Sequence, residues 1–114
     1  MKQMQITILL LSICFAVTLN AQAEIEHGRQ KIEIKTSAIC GSCRDHIEMA
    51  LKQTDGVKKA SLDLKTQIVT VTYDPKITNP EKIRKAISMS GYDADDVPAD
   101  PAAYNALDQC CKKN

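Results

Sequence analysis

Tryptophan is absent from this chain of 114 residues, and phenylalanine occurs once, as Phe15. The remaining aromatics are Tyr73, Tyr92 and Tyr104. A stacking platform for single-stranded nucleic acid needs several aromatic faces beside a basic groove. Neither is present. A surplus of charge is also lacking: 15 Lys and Arg stand against 14 Asp and Glu, for a net charge of +1. That balance gives no electrostatic reason to bind a phosphate backbone or an anionic lipid surface. The longest apolar run falls short of the roughly 20 residues that a bilayer-spanning helix needs. There is no low-complexity segment, and no repeat beyond a rough βαβ duplication.

That longest run, Ile6 to Val17, follows Lys2 and precedes Ala21-Gln22-Ala23. A positive start, a short apolar stretch and small residues at the cleavage positions read as a secretory signal peptide over 1–23, cut after Ala23. Leu11-Ser12-Ile13-Cys14 loosely resembles a lipoprotein motif, but Ile13 is too bulky for the small residue expected before the cysteine. The expectation is a periplasmic or secreted protein with no stable membrane insertion after cleavage. Residues 24–30 are polar and read as a leader.

Five cysteines become four once Cys14 is removed: Cys40, Cys43, Cys110 and Cys111. In an exported protein four cysteines first suggest structural disulfides. The spacing points elsewhere. Gaps of two residues and of none staple no long loop unless the pairs cross-link each other. Clusters of this kind fit a metal or redox site better.

Hydrophobic periodicity organises the middle of the chain. Lys31 to Thr36 alternates, with Ile32 and Ile34 on one face of a strand. Cys43, Ile47, Ala50 and Leu51 recur at helical spacing, and Asp55-Gly56 stops that helix. Val57 to Leu64 and Ile68 to Tyr73 read as two further strands, joined by a tight turn at Lys65-Thr66-Gln67. Thr78 and Glu81 fit a capping box with Pro80 in the first turn. Ile83, Ala86, Ile87 and Ser90 mark that helix's inner face, and Gly91 supplies its left-handed stop. Tyr92 to Val97 is a weak fourth strand, weighted with Asp93, Asp95 and Asp96. The order is β-α-β-β-α-(β), an α+β, ferredoxin-like split βαβ with a four-stranded sheet. The expected core is Ile32, Ile34, Ile47, Leu51, Leu62, Val69, Val71, Ile83 and Ile87. Residues 98–114 lie outside this plan as a C-terminal tail. Within it Ala102 to Gln109 has room for two helical turns, and Cys110-Cys111 sits near the end.

The pattern Cys40-x-x-Cys43-x-x-x-Ile47-Glu48-x-Ala50-Leu51, with Gly56-Val57, Val69 to Pro75, and Ile83, Ala86, Ile87, Gly91 and Tyr92, resembles the heavy-metal-associated domain. That family includes copper chaperones, domains of metal-transporting ATPases and periplasmic mercury-binding proteins. The resemblance covers about residues 31 to 94, and the domain is drawn here as 31–97. It implies a metal-binding protein, not an enzyme, that holds a soft ion on Cys40 and Cys43. It also implies transfer to a membrane metal transporter or another cysteine-bearing carrier. Two features depart from the family. Ser37-Ala38-Ile39-Cys40 replaces a loop that usually begins Gly-Met-Thr-Cys, so Ala38 leaves space that Met49 or Met89 is expected to fill. The cysteine-ended tail is the other.

A helix start stabilises a thiolate through its unpaired N–H groups and dipole. Gly41 is expected to permit the backbone turn between the two sulfurs. Soft thiolates favour Cu(I), Hg(II), Zn(II) or Cd(II) over magnesium or calcium. The same CxxC pair would also serve a thiol-disulfide oxidoreductase, with Cys40 attacking. No aromatic precedes the motif, and the strand order is not that of thioredoxin. Adjacent cysteines bond each other only with strain. Cys110 and Cys111 therefore either fold back to join Cys40 and Cys43 around a metal, or form a flexible hook. His46 is one turn beyond Cys43 and is either a ligand or solvated. The resemblance places Tyr92 near the thiols, where it would shield the ion from water. Asp93, Asp95, Asp96 and Asp100 lack the ligand order of a calcium loop and read as a solvated or docking face.

Overall fold

The computed structural model describes residues 28–113. The signal peptide and most of the leader lie outside the described residues. Strand β1 is Gln30–Lys35, β2 is Val57–Asp63 and β3 is Ile68–Tyr73. They form one antiparallel sheet in the order β1-β3-β2. Ile32 and Ile34 face Val71 and Val69 across the first pairing, and Ala60 and Leu62 face the same two valines across the second. The two-residue side-chain period thus gathers Ile34, Ala60, Leu62, Val69, Val71 and Tyr73 on one buried face. The alternate positions Lys31, Glu33, Ser61 and Asp63 stay exposed.

Helix α1, Gly41–Lys52, and helix α2, Pro80–Met89, cover that face. Cys43, Ile47 and Leu51 of α1 are fully buried, as are Ile83 and Ile87 of α2. Every expected core residue is in this cluster; Ile32 is its half-buried margin. The Glu48 carboxylate accepts the backbone N–H of Leu62 at 2.9 Å, tying α1 to the outer edge of β2.

Three local readings need correction. The cap of α2 is Asn79, not Thr78: its side chain accepts the Lys82 N–H at 3.0 Å, and Pro80 occupies the first turn. Thr78 is instead buried, and its hydroxyl has no hydrogen-bond partner among the described residues. The fourth strand shrinks to isolated bridges, Ala94 with Thr36 and Ala94 with Val97. Asp95 interrupts it by taking a left-handed φ of 52°. Its N–H donates to the Lys35 carbonyl, and its carboxylate accepts the Lys35 N–H and Arg84 Nε. The sheet is therefore three-stranded, while the ferredoxin-like plan holds. Gly41 is an ordinary first helical residue of α1, and the left-handed glycines are Gly56 and Gly91.

After α2 the chain turns at Gly91, whose φ is 105°. A Cβ there would meet the Ala103 carbonyl and Leu107 at 3.1 Å, so the close approach of the tail depends on glycine. The tail's helical stretch splits in two. Helix α3 is Pro101–Asn105, capped by Asp100, and a single 3-10 turn spans Gln109–Cys111. Among the described residues no helix is long and apolar enough to cross a membrane.

Candidate metal centre

The loop from β1 to α1 is held before it reaches the first cysteine. The Thr36 hydroxyl donates to the Gln67 carbonyl at 2.9 Å and accepts the Ala38 N–H at 3.2 Å. The Gln67 side-chain amide donates to the Ala38 carbonyl at 2.8 Å. Gln67 reaches this position from the β2–β3 turn with a φ of 62°. On the other side, the Ser37 hydroxyl accepts the Asp93 N–H at 2.9 Å. Ala38 is fully buried in the core. Neither methionine lies over it: Met49 is 62% and Met89 56% exposed, each turned to solvent.

Cys40 is the N-cap of α1, in extended backbone, with its carbonyl accepting the Arg44 N–H. Its side chain makes no capping bond and is free for other partners. Cys43 lies in the first turn of the helix and is fully buried, while Cys40 is half-buried. Their sulfurs are 3.0 Å apart.

The tail folds back onto this pair. Cys40 Sγ is 3.3 Å from Cys111 Sγ and 3.8 Å from Cys110 Sγ, and the two tail sulfurs are 3.8 Å apart. Cys111 is buried in the core and Cys110 is exposed. Cys40 thus touches each of the other three sulfurs. The four cysteines among the described residues are free thiols.

One contact ties the end of the tail to the domain and another ties it to the tail's own helix α3. The Lys113 ammonium pairs with the Asp93 carboxylate, and the Lys113 N–H donates to the Tyr104 hydroxyl at 2.9 Å. The Lys113 contact holds the Asp93 carboxyl below its ordinary range, against the opposing effect of burial. Asp93 also accepts the Ala99 N–H. The acidic stretch is therefore largely internal wiring: Asp93 binds Lys113, Asp95 binds Arg84 and Asp100 caps α3.

Tyr92 is fully buried beside the cysteines. Its hydroxyl is 2.9 Å from Nδ1 of His46. Burial raises the Tyr92 phenol far above its ordinary value, and the neighbouring Cys111 and Cys43 thiols add to this, so it keeps its proton. Burial likewise pushes the Cys111 thiol up, with Cys43 next in effect. Uncomplexed, this sulfur is a thiol, and a metal ion that binds it replaces the proton. His46 lies outside the sulfur cluster and is engaged with Tyr92.

A family model for the heavy-metal-associated domain matches residues 35–93. The chain belongs to the heavy-metal-associated domain family. A copper-exporting P-type ATPase of Staphylococcus epidermidis is 33% identical over 81 residues, covering 70% of this chain and 10% of the ATPase. The chain therefore spans about a tenth of that relative's length. Among solved structures, the CopZ metallochaperone is 30% identical with a TM-score of 0.55, covering 57% of this chain and 98% of CopZ. Oxidized MerP from Ralstonia metallidurans CH34 is 25% identical with a TM-score of 0.55, covering 58% of this chain and 93% of MerP.

In this heavy-metal-associated domain the matched region contains Cys40, Cys43 and Tyr92 but stops short of Cys110 and Cys111. Thr36, Gln67, Asp93 and Lys113 escaped the reading of the sequence as site residues. Gln67 carries no signal of its own, since only the fold brings its turn to the loop. Asp93 and Lys113 carried charge, but nothing in the sequence pairs positions 20 residues apart.

Proposed function

We propose that this protein is an exported carrier of a soft metal ion and not an enzyme. It captures Cu(I), Hg(II), Zn(II) or Cd(II) on the thiolates of Cys40 and Cys43. It then holds the ion or passes it to a membrane transporter or another cysteine-bearing carrier. The observation that carries this reading is the Cys40–Cys43 pair, 3.0 Å apart at the start of α1 with one sulfur accessible. Soft sulfur ligands select soft ions. The copper-exporting relative supports copper among the candidates and a transporter among the partners. The signal peptide read in residues 1–23 is the ground for export.

The steps follow from accessibility. An arriving ion meets half-buried Cys40 first, then Cys43 from within the fold, and each bound thiol loses its proton. A partner's thiolate binds the ion before the second sulfur lets go, so the ion is never bare. Metal titration of the reduced protein tests the reading, beside a turnover assay on a disulfide substrate. The expected result is tight binding at one ion per chain, abolished in C40S/C43S, with no turnover. Catalytic disulfide reduction without metal binding overturns it in favour of an oxidoreductase. Cell fractionation checks export.

A further inference from the structure

We infer that the tail supplies metal ligands: Cys110 and Cys111 join Cys40 and Cys43, turning a two-sulfur site into one of three or four thiolates. This rests on the carrier reading and deepens it. Four observations carry it. Cys40, Cys110 and Cys111 present sulfurs all within 4.8 Å of one another. Cys111 is buried against the domain and not within its own tail. Lys113, just past the cysteines, pairs with Asp93 of the domain, while its N–H bonds Tyr104 within the tail, so the end of the tail is tied down on both sides of the cysteines. Gly91 clears the path for the tail where any Cβ would crowd it.

The sulfur spacing fits three ligands directly, Cys40, Cys110 and Cys111. Cys43 lies outside that set, touches Cys40 at 3.0 Å, and completes a four-thiolate site only by moving toward the tail. Thiolates bound at about 2.3 Å to one tetrahedral ion stand about 3.8 Å apart. Cys40–Cys110 and Cys110–Cys111 are both 3.8 Å. The Cys40–Cys111 and Cys40–Cys43 separations are 3.3 and 3.0 Å. They reach that edge by opening about 0.5 to 0.8 Å, within side-chain rotation. More than two thiolates suits Zn(II) or Cd(II), whose tetrahedral preference two sulfurs cannot satisfy. The tail also sets the exchange point. Cys43 and Cys111 are buried, while Cys110 is exposed and Cys40 half-buried. An incoming thiolate therefore displaces exposed Cys110 first and half-buried Cys40 next, with Cys43 and Cys111 the last to let go.

Cd(II) is the probe, because its sulfur charge-transfer absorbance and its cadmium NMR shift both report the number of thiolates. The full reduced chain, C110S/C111S and C40S/C43S are loaded and compared. The expected result is three or four thiolates in the unsubstituted protein and two in C110S/C111S. In the double variant affinity falls by at least about 100-fold, since loss of mere outer partners already costs 10–100-fold. Transfer to a chelator quickens by a similar factor. C110S alone, at an exposed position that the fold does not depend on, loses one thiolate and keeps its melting temperature. Two thiolates in both the unsubstituted protein and C110S/C111S overturn the inference and leave the carrier reading intact. Unchanged binding in C40S/C43S overturns both.

Discussion

The Tyr92 hydroxyl and His46 Nδ1 are 2.9 Å apart. A fully buried phenol is thereby joined to a histidine on the exposed side of α1. The bond joins His46 to the ring that lies beside Cys43 and Cys111. Tyr92→Phe and His46→Ala are each expected to cost about 1 kcal/mol, with the double variant costing about the same as either alone. Thermal melting of the four proteins checks this. Fully additive losses would show that the bond contributes nothing.

Gln67→Ala removes the side chain that holds the Ala38 carbonyl. A stability loss of about 1 kcal/mol is expected. If the loop must hold its shape to keep an ion, release to a chelator speeds up by as much as about fivefold, the rate equivalent of that energy. Stopped-flow competition reads the rate. Unaltered release alongside lowered stability would separate loop rigidity from metal retention.

The Asp93 carboxyl lies below its ordinary range in the folded protein because Lys113 pairs with it. A depressed carboxylate stabilises the fold above its unfolded value and loses that effect as pH falls through the folded one. Tail docking should therefore be complete above about pH 4 and weaken below it, given an ordinary Asp near 3.9. Asp93→Asn removes this acid-side loss. Hydrogen exchange at the Lys113 amide, measured against pH in both proteins, gives the comparison, and matching pH profiles would refute the assignment.

Two glycine substitutions should differ sharply in cost. Gly56→Ala forces a side chain into a φ of 88° and puts its Cβ 2.9 Å from Ile77 and Thr78. A loss of about 1–3 kcal/mol or more is expected. Gly41→Ala meets nothing nearer than the Arg44 guanidinium at 3.8 Å. It should change stability by less than about 0.5 kcal/mol, at a helical position where alanine is favoured. Urea denaturation of both variants provides the measurement.

The β-α-β-β-α order was legible because each element carries its own period: alternation in Ile32 and Ile34, helical spacing in Cys43, Ile47 and Leu51. The CxxC pair was legible for the same reason, being local. Asn79 was passed over as a cap because Thr78 also has the right chemistry, and only backbone geometry separates neighbours. The weak strand at Tyr92 to Val97 failed where Asp95 found better partners in Lys35 and Arg84. The return of Cys111 to Cys40 joins positions 71 apart in sequence. The sequence could offer it only as one of two fates for the tail, since the Lys113 anchor at Asp93 exists only in three dimensions.

Both outer strands of the sheet end against a carboxylate. Glu48 occupies the free N–H of Leu62 on β2, and Asp95 occupies that of Lys35 on β1. A neighbouring strand that tried to add at either margin would have to displace a charged group already bonded there. Both carboxylates sit toward the end of the sheet that leads into the cysteine loop, since Lys35 closes β1 just before that loop and Leu62 pairs with Val69 beside it. Strand addition is disfavoured at these two edge positions.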